Sequence, residues 1–206
     1  MTTFNPYAVT NVQDGFSVQS NGFWQGDLQA DPAGRFQLAA GVIKSTETVP
    51  MWGGIPVFED TPAATPAAGY AGSVIGRFTS DMVVGGHKIS GFSVFNGSYS
   101  VPVTPQSPVP LASAGNAFNF VRVGTNNRIV VKCSSAVVAL AGSQNPQSFS
   151  WDAVNDQLIP VSLSPDAITF NATLIQVDTN GAVVSYDDVT GFATWNTAAN
   201  VAVIQI

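Results

Sequence analysis

A chain of 206 residues is long enough to bury a full core without disulfide or metal staples, as one large all-β domain or two small ones. Only 10% of it is Asp, Glu, Lys or Arg, while Asn, Gln, Ser and Thr together number 60, so amides and hydroxyls rather than ions cover the surface. The net charge of −6 and the seven scattered Lys and Arg leave no basic stripe to neutralise phosphates, which argues against nucleic acid as a partner.

Residues 1–15 show no periodicity and read as an extended N-terminal arm ahead of an all-β domain spanning 16–206, with a second lobe from about 165 as the alternative division. Val, Ile, Thr, Phe and Gly dominate, and Pro or Gly interrupts nearly every window long enough for three helical turns. Strands are expected at 16–19, 22–29, 37–44, 55–59, 73–79 and 88–95. A hairpin follows, from Ala117–Val123 through Gly124-Thr125-Asn126-Asn127 back along Arg128–Cys133. A second hairpin pairs Phe149–Val154 with Leu158–Val161 around Asn155-Asp156. A third pairs Ala172–Val177 with Val183–Tyr186 around Asp178-Thr179-Asn180-Gly181. Strands at 191–195 and 201–206 complete the chain. The last of these is uncharged and β-prone, an aggregation hazard unless it is paired. Short strands with turn residues between them predict an antiparallel β-sandwich or barrel.

Two uncharged, Pro-rich segments, 60–72 and 101–115, break this rhythm and are expected to form long extended loops, because proline fixes φ and removes a ladder donor. Such loops in a compact β-domain are usually contact elements or mobile segments. The N-terminus has neither a basic n-region nor an apolar h-region, and no stretch approaches the ~20 apolar residues of a spanning helix. The expectation is synthesis in a cytoplasm, with no membrane partner.

The search for chemistry returns little. His87 is the sole histidine and sits beside Gly85-Gly86, with no Gly-x-Ser-x-Gly elbow anywhere for a triad. Cys133 is the sole cysteine, ends a strand-like run, and reads as a buried small hydrophobe; one His and one Cys do not make a zinc site. The thirteen acids include only two Glu, and several Asp fall at turns, where they bond their own backbone rather than pair for glycoside hydrolysis. Asp178-Thr179-Asn180-Gly181 opens like a calcium loop but lacks the later bidentate Glu, so a hairpin turn explains it better. No cofactor, metal or catalytic residue is assigned, and the chain reads as a non-enzyme. Phe23-Trp24 and Met51-Trp52 lie beside glycines. They suit a core, an anchor for a partner's pocket, or, with Trp151, a sugar-stacking platform.

A set of short strings carries a resemblance. Gln25-Gly26-Asp27 leading to Asp31-Pro32, the run Arg35–Ser45, then Met51-Trp52-Gly53-Gly54 and Glu59 resembles a group of tailed-bacteriophage virion proteins. That group includes head decoration, or cement, proteins. Gly91–Phe95, Asn119–Gly124 with Asn127-Arg128-Ile129, and Phe149–Asp152 are similar to the same group. The likeness runs over residues 23–161 and does not extend beyond 165.

It implies a structural protein on the outer face of an icosahedral shell, clamping neighbouring major capsid subunits and associating with itself as a dimer or trimer. The candidate interface then comprises Phe4 and Tyr7 of the arm, Phe23, Trp24, Met51 and Trp52, and Pro62, Pro66, Tyr70, Pro105 and Pro108 of the loops. A phage tail or fibre module and a carbohydrate-binding β-domain are the alternatives.

Overall fold

The computed structural model describes residues 23–29, 37–60, 73–79, 87–94, 109–143, 147–163 and 169–206. The chain is nearly all β, as expected. Among the described residues ten strands form a closed five-stranded barrel and a separate five-stranded sheet. The barrel comprises β1 (Leu38–Ile43), β2 (Pro56–Asp60), β3 (Val74–Arg77), β4 (Gly91–Ser93) and β5 (Ala117–Arg122), in the spatial order β1-β3-β2-β4-β5. All its pairings are antiparallel except β1 with β3, where Val42 and Ile43 lie opposite Val74 and Ile75.

The strand period of two explains how this small barrel is filled and covered. Ala39 and Ile43 of β1, Val57 of β2, Ile75 of β3 and Phe118 and Phe120 of β5 form one buried cluster with Met51 and Ala112. Their neighbours Phe58, Phe92 and Val121 belong instead to a larger core shared with the second sheet. Barrel strands apolar on both faces are therefore packed on both faces.

The second sheet contains β6 (Arg128–Lys132), β7 (Gln147–Asp152), β8 (Gln157–Pro160), β9 (Thr169–Tyr186) and β10 (Ala193–Gln205), in the order β6-β10-β9-β7-β8. Ile129 and Val131 of β6, Ala202 and Ile204 of β10 and Phe149 and Trp151 of β7 face the shared core. The alternate residues Val130, Val201 and Val203 cluster with Val183. Among the described residues a single short helix, α1 (Ser135–Val138), places Val137 in the shared core. The sheet curls until its outer strands meet: Cys133, just after β6, bridges Leu158 of β8, and the Ser134 N–H donates to the Leu158 carbonyl at 3.0 Å. Open edges invite pairing with foreign strands, and this contact closes part of both.

Three expectations change. The hairpin anticipated over 117–133 does not form. β5 pairs with β1 and β4, whereas β6 pairs with β10, so the Gly124–Asn127 turn carries the chain from the barrel to the sheet. Positive φ at Gly124 (91°) and Asn126 (58°) makes the turn, and the Asn127 amide holds it by donating to Gln37 Oε1 and Thr125 Oγ1. The third hairpin is likewise absent: Ala172 to Tyr186 is one strand, and the two strands anticipated at 191–195 and 201–206 are one partner for it. Asp178-Thr179-Asn180 forms a bulge, since Asp178 lies opposite Val201 and Gly181 opposite Ala199, and Asp178 Oδ1 accepts the Asn180 N–H at 2.8 Å. Turn chemistry reports a bend, and the long β10 alongside decides that the bend is not a reversal. Residues 23–29 carry only isolated bridges, Trp24 to Ala182 and Leu28 to Ile129, rather than a strand.

The hairpin over 149–161 forms as anticipated, with Trp151 opposite Leu158. The uncharged C-terminal strand is paired on both sides, by β6 and β9. Of the second Pro-rich segment, the described end packs inward: Val109 and Ala112 are buried, and Ala112 exchanges backbone hydrogen bonds with Met51. The arm 1–15, residues 61–72 and residues 101–108 lie outside the described residues, as does the strand anticipated at 16–19.

Candidate interaction surface

The aromatic candidates separate by burial. Met51 and Trp52 are enclosed, at 0% and 4% exposure, and so is Trp151. Met51 fills the barrel, while Trp52 and Trp151 belong to the shared core. None of the three offers a ring or thioether to a partner's pocket or a sugar face. Phe23 and Trp24 are half-buried, and Trp24 packs edge-on against Trp195 with ring centroids 4.7 Å apart. The segment behind them is held closely. Gln25 is buried with its side-chain oxygen accepting the Val184 N–H at 2.9 Å. Gly26, at φ +85°, lies so near Gly53 that a Cβ would sit 2.4 Å from the Gly53 Cα. Phe4, Tyr7, Pro62, Pro66, Tyr70, Pro105 and Pro108 lie outside the described residues.

Trp52 is the centre of a joint between the two sheets. The Arg77 guanidinium lies 4.4 Å from its ring centroid, donates to the Pro50 carbonyl at 3.1 Å, and reaches Asp156 Oδ2 at 2.6 Å. Tyr186 also packs against Trp52, with ring centroids 5.6 Å apart. Burial pushes the Asp156 carboxyl up from its ordinary value, against the pull of Arg77, and burial does the same to Glu47 against hydrogen bonding and charge from Arg77. A second cross-strand pair ties the barrel itself: Arg122 grips Glu59 through two hydrogen bonds of 2.8 and 2.6 Å, and the Ser73 hydroxyl donates to the same carboxylate at 2.5 Å.

The joint connects two turns with the same plan. One runs Trp151-Asp152-Ala153-Val154-Asn155-Asp156 between β7 and β8; the other runs Tyr186-Asp187-Asp188-Val189-Thr190-Gly191 between β9 and β10. In each an aromatic residue precedes an Asp whose Oδ1 accepts two backbone N–H groups. Asp152 receives Val154 (3.0 Å) and Asn155 (3.1 Å); Asp187 receives Val189 (2.9 Å) and Thr190 (3.4 Å). In each, the side chain after the valine returns to the other oxygen, Asn155 Nδ2 to Asp152 Oδ2 and Thr190 Oγ1 to Asp187 Oδ2, both at 2.7 Å. Each turn ends in a left-handed residue, Asp156 at φ 49° or Gly191 at φ 73°. The flanking registers match as well, Trp151 with Leu158 and Tyr186 with Ala193.

What these braced turns display is a bare valine each, Val154 at 92% exposure and Val189 at 89%, with Phe192 half-exposed beside the second. The Asp188 carboxylate flanks Val189, and Lys132 fixes the first turn by donating to the Asn155 carbonyl at 2.7 Å. Partial burial raises the Asp152 carboxyl, but the donors Asn155, Gln157 and Val154 outweigh it and hold the group below its ordinary range. The Thr190 hydroxyl and the Val189 and Thr190 amides likewise lower Asp187. Sequence reasoning passed over these valines. Their signal was the recurring string of aromatic, Asp, any residue, Val, then Asn or Thr, with a β-branched apolar residue standing where turn chemistry prefers a polar one.

The remaining reactive groups are committed elsewhere. Burial pushes the Cys133 thiol up to about 12, leaving almost no thiolate at neutral pH. His87 is exposed with its ring 5.5 Å from that of Phe58. Among the described residues no three His, Cys, Asp or Glu converge in a way that could hold a metal ion, and no helix is long and apolar enough to cross a membrane. No family model, no curated protein and no solved structure matches the chain.

Proposed function

We propose that this chain is a non-enzymatic virion structural protein that binds the outer surface of a phage capsid and stabilises contacts between major capsid subunits. The observation that carries the reading is the pair of braced turns holding Val154 and Val189 in water. Exposing a valine gives up most of the free energy that its burial would contribute, roughly 1.5 kcal/mol or more per side chain. Rigid turns that do so twice are suited to docking, because little conformational entropy remains to be lost on contact. The resemblance over residues 23–161 supports the capsid as the docking partner, and the charge-poor surface is one that neighbours can desolvate at low cost.

Two valine tips bury less than a standard interface of about 800 Å² per partner, so single contacts are modest. Repetition around a symmetric shell supplies the strength by multivalency, with the arm and the Pro-rich segments adding contacts between copies. The glycan-binding alternative is weakened by the enclosure of Trp52 and Trp151. The test is a stoichiometry: the copy number of this chain in purified virions, set against the major capsid protein. Hundreds of copies in simple ratio to the shell protein are expected. A few tens or fewer would assign the chain to a tail or a vertex, and absence from particles would end both structural readings.

A further inference from the structure

We infer that the Val154 and Val189 turns act together as a two-pronged anchor whose partner is a protein surface carrying two apolar sockets, the one facing Val189 rimmed by Lys or Arg. The inference deepens the capsid reading and rests on it. Three observations carry it. First, the turns share the hydrogen bonds that their leading Asp accepts, the flanking register and the left-handed closing residue, yet they join different strand pairs. Turn chemistry alone accounts for the Asp and the closing residue, but not for an exposed valine at the same place in both.

Second, the prongs are fixed to one joint. Asp156, which closes the first turn, binds Arg77; Arg77 stacks on Trp52; and Trp52 packs on Tyr186, which opens the second. Lys132 adds a strut from β6 to the first turn. The bases of both turns are therefore held to one joint before any partner arrives, which lowers the entropic cost of a second contact once the first is made.

Third, the charges select the partner class. Asp187 and Asp188 flank the second valine, whereas the first turn, with Asp152 and Asp156, also holds Arg77 on Asp156 and the Lys132 ammonium on the Asn155 carbonyl. A negative rim on a chain of net charge −6 repels nucleic acid and anionic lipid, and is complementary to a basic protein rim. The lowered Asp187 carboxyl keeps that rim charged into mildly acidic solution.

The experiment measures binding of the full chain to purified capsids stripped of it, with Val154→Ala, Val189→Ala, the double variant and Asp188→Asn compared at low and high salt. Losing two buried carbons at one prong is expected to weaken binding roughly tenfold, and the double variant by about a hundredfold or more. Asp188→Asn is expected to flatten the salt dependence while leaving high-salt binding nearly unchanged. Urea midpoints of all four variants should stay at the wild-type value, because these side chains are outside the core. Capsid binding at wild-type affinity by the double variant would overturn the anchor and leave the capsid reading standing. A wild-type chain that binds no capsid overturns both, and capture of the chain by anionic vesicles in place of capsids would overturn the assignment to a protein partner.

Discussion

Gly181 lies in β9 opposite Ala199, with the Val201 side chain of β10 against it, and a methyl group there has no room. A Cβ on Gly181 would sit 2.3 Å from Val201 Cγ2, 2.5 Å from Cγ1 and 2.9 Å from Cβ. The last of these atoms is fixed to the backbone, so a rotamer change cannot relieve the overlap. Overpacking of this kind costs about 1–3 kcal/mol, of which roughly 0.4–1 kcal/mol is offset because alanine restricts the unfolded chain. Gly181→Ala is thus expected to destabilise by about 1–2 kcal/mol. Val201 is fully buried, and Val201→Ala removes two carbons at ~0.8 kcal/mol each and leaves a small cavity, for about 2 kcal/mol. In the double variant the new methyl occupies the space the valine gave up. The two changes should therefore fall short of additivity by about 1–1.5 kcal/mol. Urea unfolding followed by tryptophan fluorescence measures all four corners of this cycle. For a chain of this length each kcal/mol corresponds to roughly 2–4 °C in Tm, so calorimetry gives an independent reading. Additivity within 0.5 kcal/mol would show that residues 181 and 201 do not touch, and would refute a continuous β9 in favour of a turn at 178–181.

Gly26→Ala should be more damaging, by about 3 kcal/mol, because it combines a positive φ with overlap against the Gly53 backbone; a urea midpoint equal to wild type would mean that 23–29 does not dock there. Cys133, buried and with its pKa pushed up to about 12, should resist an aromatic disulfide reagent in the folded protein and react fully in urea; rapid native labelling would contradict its burial. The carboxylates give a two-part pH profile. Glu47 and Asp156 are raised from ordinary values of 4.5 and 3.8, so the folded state takes up their protons before the unfolded state does, and stability through these groups rises as pH falls toward that range. Asp152 and Asp187 are lowered from 3.8, so their contribution is complete above that value and is lost as pH falls below it. Tm should hold or rise from pH 7 to about 4.5 and drop below about 3.8; a steady decline beginning near pH 6 would contradict this assignment.

The candidate surface was only partly legible in the sequence. Large apolar side chains beside glycines, Met51 and Trp52 among them, mark candidate contact residues in the sequence. Here the glycines serve another purpose: Gly54 admits the Gln25 side chain and the Gly26 backbone, Gly26 lies against the Gly53 backbone, and Trp52 beside them is enclosed. The valines that do reach solvent have no local mark except a repeated turn string, and a valine in a β-rich sequence reads as core by default. Whether it is core depends on what stands opposite, which is not a local property.

The sequence by itself determined the β character, the strands expected at 37–44, 55–59 and 73–79, the hairpin around Asn155-Asp156 and the burial of Cys133. Each follows from short-range physics: side chains alternating with a period of two, β-branched residues on a pleated surface, and Asp, Asn and Gly supplying turns. Tertiary structure alone decided which strands are neighbours. Gly124–Asn127 and Asp178–Gly181 carry the same turn chemistry as a true hairpin. One became a crossing between barrel and sheet and the other a bulge, because β5 had β1 and β4 as partners and β9 had a single long β10. A turn sets the direction of a few residues. The pairing of strands is set by the apolar area buried on both of their faces, and that area exists only once the barrel and the sheet have met.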